Sequence, residues 1–336
     1  MKIAILSSIA WRTPPRKYGP WEQVSSNIAE GMVEQGIDVT LFASGDSITQ
    51  GKLMSACELP YAENSKADPK VSECLHISYL MEQADKYDLI HNNFDFLPLS
   101  YSRLIKTPMV TTIHGFSSPK ILPVYKKYNS TGFYVSISNS DRSPELDYIA
   151  TVYNGVNINE FIFRPRSEDY LLFFGRIHPE KGVYESIQIS KKSKRKLIIS
   201  GLIQDQEYFN FKVRPFINDN DIVYVGNSGP DERNKLLGGA FALLHPISFE
   251  EPFGLSVVEA MFCGTPVIAF NRGSMPELIL DGKTGFLVNS IEEALEAVNN
   301  IKMINRNNCR KWATSKFSRL KMIEGYLEVY NKILNI

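Results

Sequence analysis

Glu251 and Glu259 stand eight positions apart in the segment Glu-Pro-Phe-Gly-Leu-Ser-Val-Val-Glu, and such a carboxylate pair first suggests acid–base chemistry or a metal site. The residues between them argue for something else. Pro252, Phe253 and Gly254 make a turn, and the apolar run from Leu255 to Phe262 has helical character, so Glu251 falls in a loop and Glu259 about one turn into a helix. At such a junction the N–H groups of Gly254, Leu255 and Ser256 face the positive end of a helix dipole without intrahelical acceptors, which suits a phosphate. Two carboxylates flanking an anion repel it unless each has another partner. Hydroxyls on either side of a diphosphate supply such partners, and a sugar nucleotide carries them on its ribose and on its sugar. The competing reading is an amphipathic helix with charged ends, which an isolated pair would favour.

A second cluster precedes this one in the chain. Gly175-Arg176-Ile177-His178-Pro179-Glu180-Lys181-Gly182 follows an apolar strand-like run and leads into a helix. Arg176 and Lys181 leave one strand end together, and Gly175 and Gly182 permit close backbone approach, so both cations can reach one anion. Taken alone, such a turn is more often a solvated loop.

Parallel sheets must position these residues. Lys2 to Leu6 is a short apolar run; Val24, Ile28, Met32 and Val33 follow at helical spacing, and Val39 to Phe42 is a second run, giving a strand, helix, strand unit. The connection from Ser7 to Pro20 is long for such a unit, and long loops at the carboxyl ends of parallel strands are where ligands bind. Runs at Leu89-Ile90, Met109 to Ile113, Tyr134 to Ile137 and Thr151-Val152 continue the pattern, and Phe163 to Arg166 interrupts it. It restarts at Tyr170 to Phe174, Leu197 to Ile199, Ile222 to Val225, Ala242 to Leu244 and Val267 to Ala269. Two doubly wound α/β domains in series are expected, at 1–164 and 165–315. Phe317, Leu320, Ile323, Leu327, Tyr330 and Leu334 form a stripe at helical spacing, so an amphipathic helix closes the chain.

Bulk properties narrow the function further. The chain has 336 residues, enough for two cores, and 37 basic residues balance 37 acidic ones. That balance excludes nucleic acid as a main partner. Cys57, Cys74, Cys263 and Cys309 are scattered, so free thiols in a reducing compartment are expected; none of the five histidines has metal-type spacing, and no metal or other cofactor is expected. The N-terminal apolar run stops at Ser7 without a cleavage pattern, and no stretch approaches membrane-spanning length, so a cytoplasmic protein is expected. Lys191 to Lys196 is a basic run in which a helix C-terminus with a solvated face competes with peripheral contact to anionic lipid, and the balanced charge favours the former.

Taken together, these motifs resemble the retaining glycosyltransferases of family 4, whose fold is GT-B. The resemblance rests on Gly-Arg-Ile-His-Pro-Glu-Lys-Gly from Gly175, the Glu-x7-Glu segment, Glu-Ala-Met-Phe-Cys-Gly-Thr-Pro-Val-Ile-Ala from Glu259, and Gly273, Pro276-Glu277, Gly282 and Gly285-Phe286. Tyr18-Gly19 with Glu22, Thr112-Ile113-His114-Gly115 and Tyr153-Asn154-Gly155-Val156 match the family's acceptor-side signatures. It implies two Rossmann-like domains facing a central cleft, the first binding acceptor and completed by residues 316–336, the second binding a nucleotide-sugar donor.

The implied catalytic residues are Glu251, His114, Arg176 and Lys181. Arg176 and Lys181 would hold the diphosphate and stabilise charge on the leaving group. Glu259 would accept from the ribose hydroxyls, and Glu251, beside the N–H groups of Phe253, Gly254 and Leu255, would hold the transferred sugar. His114 would approach that sugar from the acceptor domain; taken alone it reads as a core histidine. Gly19 is a further donor contact, and contacts near Val225, Gly226 and Asn227 would select the nucleobase, expected to be uracil. Tyr18, Trp21, Glu22 and Asn154 would shape the acceptor site, whose ligand is a carbohydrate, lipid-linked or small-molecule hydroxyl, and for Trp21 ordinary packing competes evenly with a sugar-stacking platform. One departure stands out: Pro20 follows Gly19 where the family has a second glycine, which removes a possible phosphate donor. The resemblance implies a same-face, metal-independent transfer with retention. A sugar-nucleotide epimerase on the same scaffold and a catalytically silent sugar-nucleotide-binding subunit are the alternatives.

Overall fold

The computed structural model describes residues 1–115 and 119–335. It divides into two compact units, Met1–Gly155 with Arg319–Ile336, and Val156–Ser318. Among the described residues thirteen strands run β1 (Lys2–Leu6), β2 (Asp38–Phe42), β3 (Lys52–Met54), β4 (Leu89–Asn92), β5 (Met109–Ile113), β6 (Phe133–Ser136), β7 (Tyr148–Thr151), β8 (Tyr170–Phe174), β9 (Lys196–Ser200), β10 (Ile222–Tyr224), β11 (Ala242–His245), β12 (Val267–Phe270) and β13 (Gly285–Val288).

The first unit holds a sheet in the order β3-β2-β1-β4-β5-β6-β7 and the second one in the order β10-β9-β8-β11-β12-β13, every pairing parallel. Helices cover both faces of a doubly wound sheet, so its central strands are buried on both sides and read as continuous apolar runs. Strand order reverses between β1 and β4 in the first unit and between β8 and β11 in the second. The loops leaving those strands therefore border a crevice at each reversal, the position at which open α/β sheets bind ligands.

Two strands escaped the sequence pattern for a common reason. β3 is an edge strand of three residues, exposed or half-buried, and β13 lies at the opposite edge of the second sheet with its middle residues half-buried. Neither needs an uninterrupted apolar run. β7 begins at Tyr148, earlier than Thr151-Val152 suggests; its residues are half-buried and its pairing with β6 shifts register between Tyr134 and Val135.

The division falls at Gly155/Val156, nine residues before the expected linker. Residues 156–164 are tied into the second unit: Arg310 Nη1 donates to the Phe161 carbonyl at 2.9 Å, Arg164 N donates to the Cys263 carbonyl at 3.0 Å, and the rings of Phe161 and Phe262 lie 6.3 Å apart. Buried Arg306 reinforces this corner by donating to the carbonyls of Arg164, Ala240 and Gly238 at 2.7, 2.9 and 2.7 Å.

At the other end, the closing stripe is two helices. Arg306–Phe317 ends where Ser318 turns extended and bridges to Val156, and Arg319–Leu334 then starts in a new phase. Its buried face is consequently Met322, Ile323, Tyr326, Val329 and Tyr330, and Leu320 is 54% exposed. This last helix belongs to the first unit. Gly31, on helix Pro20–Glu34, lets it come close, since a Cβ there would stand 2.5 Å from Ile323 Cγ1. Its tyrosines also close a buried network in which His91 Nδ1 lies 2.6 Å from Tyr330 Oη, His91 Nε2 lies 2.8 Å from Thr112 Oγ1, and Thr112 Oγ1 lies 2.9 Å from Tyr326 Oη.

Candidate active site

In the second unit, the strand reversal gathers the residues expected to bind donor. The loop after β8 carries Arg176 and Lys181, and the loop after β11 carries Glu251. Gly182 fixes their approach, with a φ of 76° and a position where a Cβ would stand 2.0 Å from the Pro246 carbonyl oxygen. Ser248 N donates to the Glu180 carbonyl at 2.9 Å and stitches the two loops together. A third loop locks Glu251 from behind: Ser274 N donates to its carbonyl at 2.9 Å, and a Cβ on Gly273 would meet its backbone at 2.4 Å.

The result is a compact ionic cluster. Lys181 Nζ lies 2.5 Å from Glu251 Oε2, both side chains nearly buried, and also sits 4.5 Å from the centre of the Phe249 ring. His245 Nε2, at the carboxyl end of β11, lies 3.5 Å from the same carboxylate oxygen and has no closer partner among the described residues. Burial raises the proton affinity of Glu251, but the His245 contact and the Lys181 charge outweigh it, holding the carboxyl at about 2. Glu251 is therefore fully ionised at neutral pH. Arg176 lies alongside, paired with Glu180 at 3.1 Å and donating to Gln204 Oε1.

Gly254 caps helix Leu255–Phe262 at φ 90°, and the N–H groups of Leu255 and Ser256 open the first turn beside Phe253. Glu259 is 6% exposed one turn on, its Oε1 3.1 Å from Arg233 Nη1. Burial raises its pKa, Arg233 opposes that, and Glu160 adds to it. Val225 ends the neighbouring β10 segment, its N–H donating to the Ile199 carbonyl at 3.0 Å, beside Gly226 at φ 83°.

The first unit assembles a different set at its own strand reversal. Gly19 caps helix Pro20–Glu34 at φ 152°, with Pro20 in the first turn, where a missing N–H costs no helical bond. A Cβ on Gly19 would stand 2.8 Å from Pro15 Cβ, so the loop admits only glycine there. His114, at the end of β5, has its Nε2 3.0 Å from Asn93 Oδ1, and burial lowers its pKa to about 4. Its ring stacks on Trp21 at 5.9 Å, and Tyr18 meets Trp11 edge-on at 6.1 Å.

Two residues expected to shape the acceptor site are buried instead. Glu22, 2% exposed, accepts at Oε1 from Ser8 Oγ at 2.6 Å and from Trp11 N at 3.1 Å, so its carboxylate clamps the loop after β1. Asn154 is 3% exposed at the end of the β7 segment, and its Oδ1 has no hydrogen-bond partner among the described residues.

Arg233, Glu160, His245 and Asn93 were invisible to motif reading. Of these, only His245 had a sequence signal, a histidine directly after an apolar strand and before a proline. Three of the five cations in the basic run are engaged within the molecule: Lys191 lies 4.8 Å from the Phe216 ring, Lys192 pairs with Glu292 at 3.1 Å, and Arg195 binds Asp169 and packs on Phe241. Among the described residues no helix is long and apolar enough to cross a membrane, and all four cysteines are free thiols.

The architecture is that of the GT-B glycosyltransferases. A sucrose-phosphate synthase from Thermosynechococcus elongatus superimposes with a TM-score of 0.82 at 17% identity, covering 100% of this chain and 99% of that one. The Anabaena protein HepE, solved in complex with UDP and glucose, superimposes with a TM-score of 0.75 at 20% identity, covering 98% and 99%. In sequence, residues 157–316 match the family described as glycosyl transferases group 1, a span that nearly coincides with the second unit. An uncharacterized glycosyltransferase of Methanocaldococcus jannaschii is 24% identical over 86% of this chain and 85% of its own length. These similarities support glycosyl transfer as the activity.

Proposed function

We propose that the protein transfers a sugar from a UDP-sugar to an acceptor hydroxyl with retention at the anomeric carbon and without a metal ion, as a retaining family 4 enzyme. The observation that carries this reading is the convergence of Arg176, Lys181, Glu251 and a helix N-terminus at the strand reversal of the second unit. Cations and backbone N–H groups there suit a diphosphate, and a carboxylate held fully ionised suits sugar hydroxyls. Donor binding replaces the Lys181–Glu251 pair, the ammonium taking phosphate and the carboxylate taking hydroxyls.

The glycosidic bond to the donor phosphate then breaks as the bond to the acceptor oxygen forms on the same face, and the acceptor proton passes to the departing phosphate oxygen. Lys181, Arg176 and the N–H groups at Gly254 and Leu255 stabilise the charge on that phosphate. Glu259 faces ribose, the Val225 segment faces the base, and His114 serves as a neutral hydrogen-bonding partner of the transferred sugar. Trp21 and Tyr18 border the acceptor, and buried Glu22 fixes the loop after β1 through Ser8 and Trp11. The four free thiols suit a reducing, cytoplasmic setting.

The deciding experiment is a panel of UDP- and GDP-sugars incubated with acceptor glycans, with and without chelator. Release of UDP with a new α- or β-linkage matching the donor's anomer is expected, undiminished by chelation. Loss of activity on chelation, restored by a divalent ion, defeats the metal-free mechanism. Epimerised donor without transfer defeats the transferase reading.

A further inference from the structure

Arg233 belongs to no motif, yet it is the residue most tightly built around Glu259. Its Nη1 lies 3.1 Å from Glu259 Oε1, its Nη2 lies 3.7 Å from Glu160 Oε2, and its guanidinium sits 5.0 Å from the centre of the Phe161 ring. Glu160 and Phe161 are themselves pinned to the helix that carries Arg233. Asn234 Nδ2 donates to the Glu160 carbonyl at 2.8 Å, and Ile162 N donates to Asn234 Oδ1 at 3.1 Å. The guanidinium is thus hydrogen-bonded to Glu259 through Nη1, in looser ionic contact with Glu160 through Nη2 and packed by its face on Phe161, while its buried Nε has no hydrogen-bond partner among the described residues. Only Oε1 of Glu259 is bonded among the described residues, so Oε2 is left to a ligand. A buried ion pair of this kind is weak evidence for stability, because desolvation offsets much of the attraction, and orientation is its better-attested use.

We propose that Arg233 is a positioning residue for the nucleotide: held by Glu160 and Phe161, it fixes Glu259 as an oriented anionic acceptor whose free oxygen receives the ribose hydroxyls of a nucleoside diphosphate. The inference rests on Glu259 facing ribose, as proposed above. Glu259 is faced by Arg233 from helix Pro230–Gly239 and by Glu160 from the turn Ile158–Glu160, with Cys263 at the end of its own helix and Arg306 and Arg310 beyond that thiol. Arg233 is the cation that opposes its protonation, and without it burial and Glu160 act unopposed.

Calorimetry with UDP and with 2′,3′-dideoxy-UDP tests this in the full-length protein, across about pH 5 to 8, where buried carboxyls titrate. The wild type is expected to prefer UDP by on the order of tenfold or more throughout, the value of charge-assisted hydrogen bonds. In Arg233→Met that preference should shrink toward unity at the acid end and recover as pH rises, while affinity for the dideoxy nucleotide stays unchanged and so reports an intact fold. Arg233→Lys should restore the preference, and Glu160→Gln should preserve it to lower pH than the wild type. A Met variant with the wild-type preference at every pH overturns the inference. So does an equal loss for both nucleotides, the result of a merely structural role. A wild type that binds UDP but does not distinguish the two nucleotides removes Glu259 from the ribose, and one that binds neither removes the donor-site reading itself.

Discussion

The two strand reversals use opposite electrostatics. In the second unit Lys181 pairs with Glu251, Arg176 with Glu180 and Arg233 with Glu259, and Glu251 stays ionised to about pH 2. In the first, the polar residues at and against the strand ends include histidines held neutral by burial, His114 after β5 at about 4, His91 on β4 at about 3 and His76 on helix Pro69–Met81 at about 4, together with asparagines, serines and a tucked-in glutamate. A ligand carrying two phosphates needs fixed countercharge. An uncharged acceptor needs no such countercharge, and neutral donors and acceptors bind it at a small desolvation cost. Under the proposed function, the contrast assigns the charged half of the reaction to the second unit.

Acidification separates the two most strongly. The three histidines bind protons at an ordinary 6.5 when unfolded but near 3 to 4 when folded, so the unfolded state binds more protons in that window. Their contribution is complete above pH 6.5 and is lost as pH falls, at about 1.4 kcal/mol per pH unit for each. Glu22, whose folded pKa is raised, works in the opposite sense and offsets part of this. Glu251 contributes fully above its ordinary 4.5 and loses that contribution only between there and about 2. Amide exchange at pH 5 should thus rise in β1, β4 and β5 before β8 and β11. The reverse order would break the comparison.

Next in size, Glu251→Gln should lower turnover on the order of 10²- to 10³-fold, as when a site loses a charge aimed at the reacting group. His114→Gln, a neutral exchange at a neutral site, should cost less. Equal effects in steady-state kinetics would erase the distinction. Gly31→Ala drives a methyl into Ile323 and should cost about 1–3 kcal/mol in denaturant unfolding, confirming that the last helix completes the first unit. The smallest effect belongs to Lys192→Gln, whose partner Glu292 is exposed; a change within about 0.5 kcal/mol and no change in sedimentation with anionic vesicles are expected.

Much of the fold could be read along the chain because parallel strands buried on both faces must be apolar throughout, which made β1, β2, β5, β8 and β12 plain. Edges were less legible: β3 and β13 pack on one side and lack that constraint. The closing stripe misled for another reason, since Leu320 keeps helical spacing across Ser318 although the helix is broken there.

At the site, the sequence alone supplied the glycines, the cations and the carboxylates, because each needs a particular side chain or none at a fixed place on a loop. Whether a charge meets another charge is a three-dimensional matter. Nothing in the spacing links Arg233 to Glu259 or His245 to Glu251, or turns Glu22 inward onto Ser8 and Trp11. Those pairings arise only when strands distant in sequence become neighbours, and they set which groups stay ionised, which stay neutral and which face a ligand.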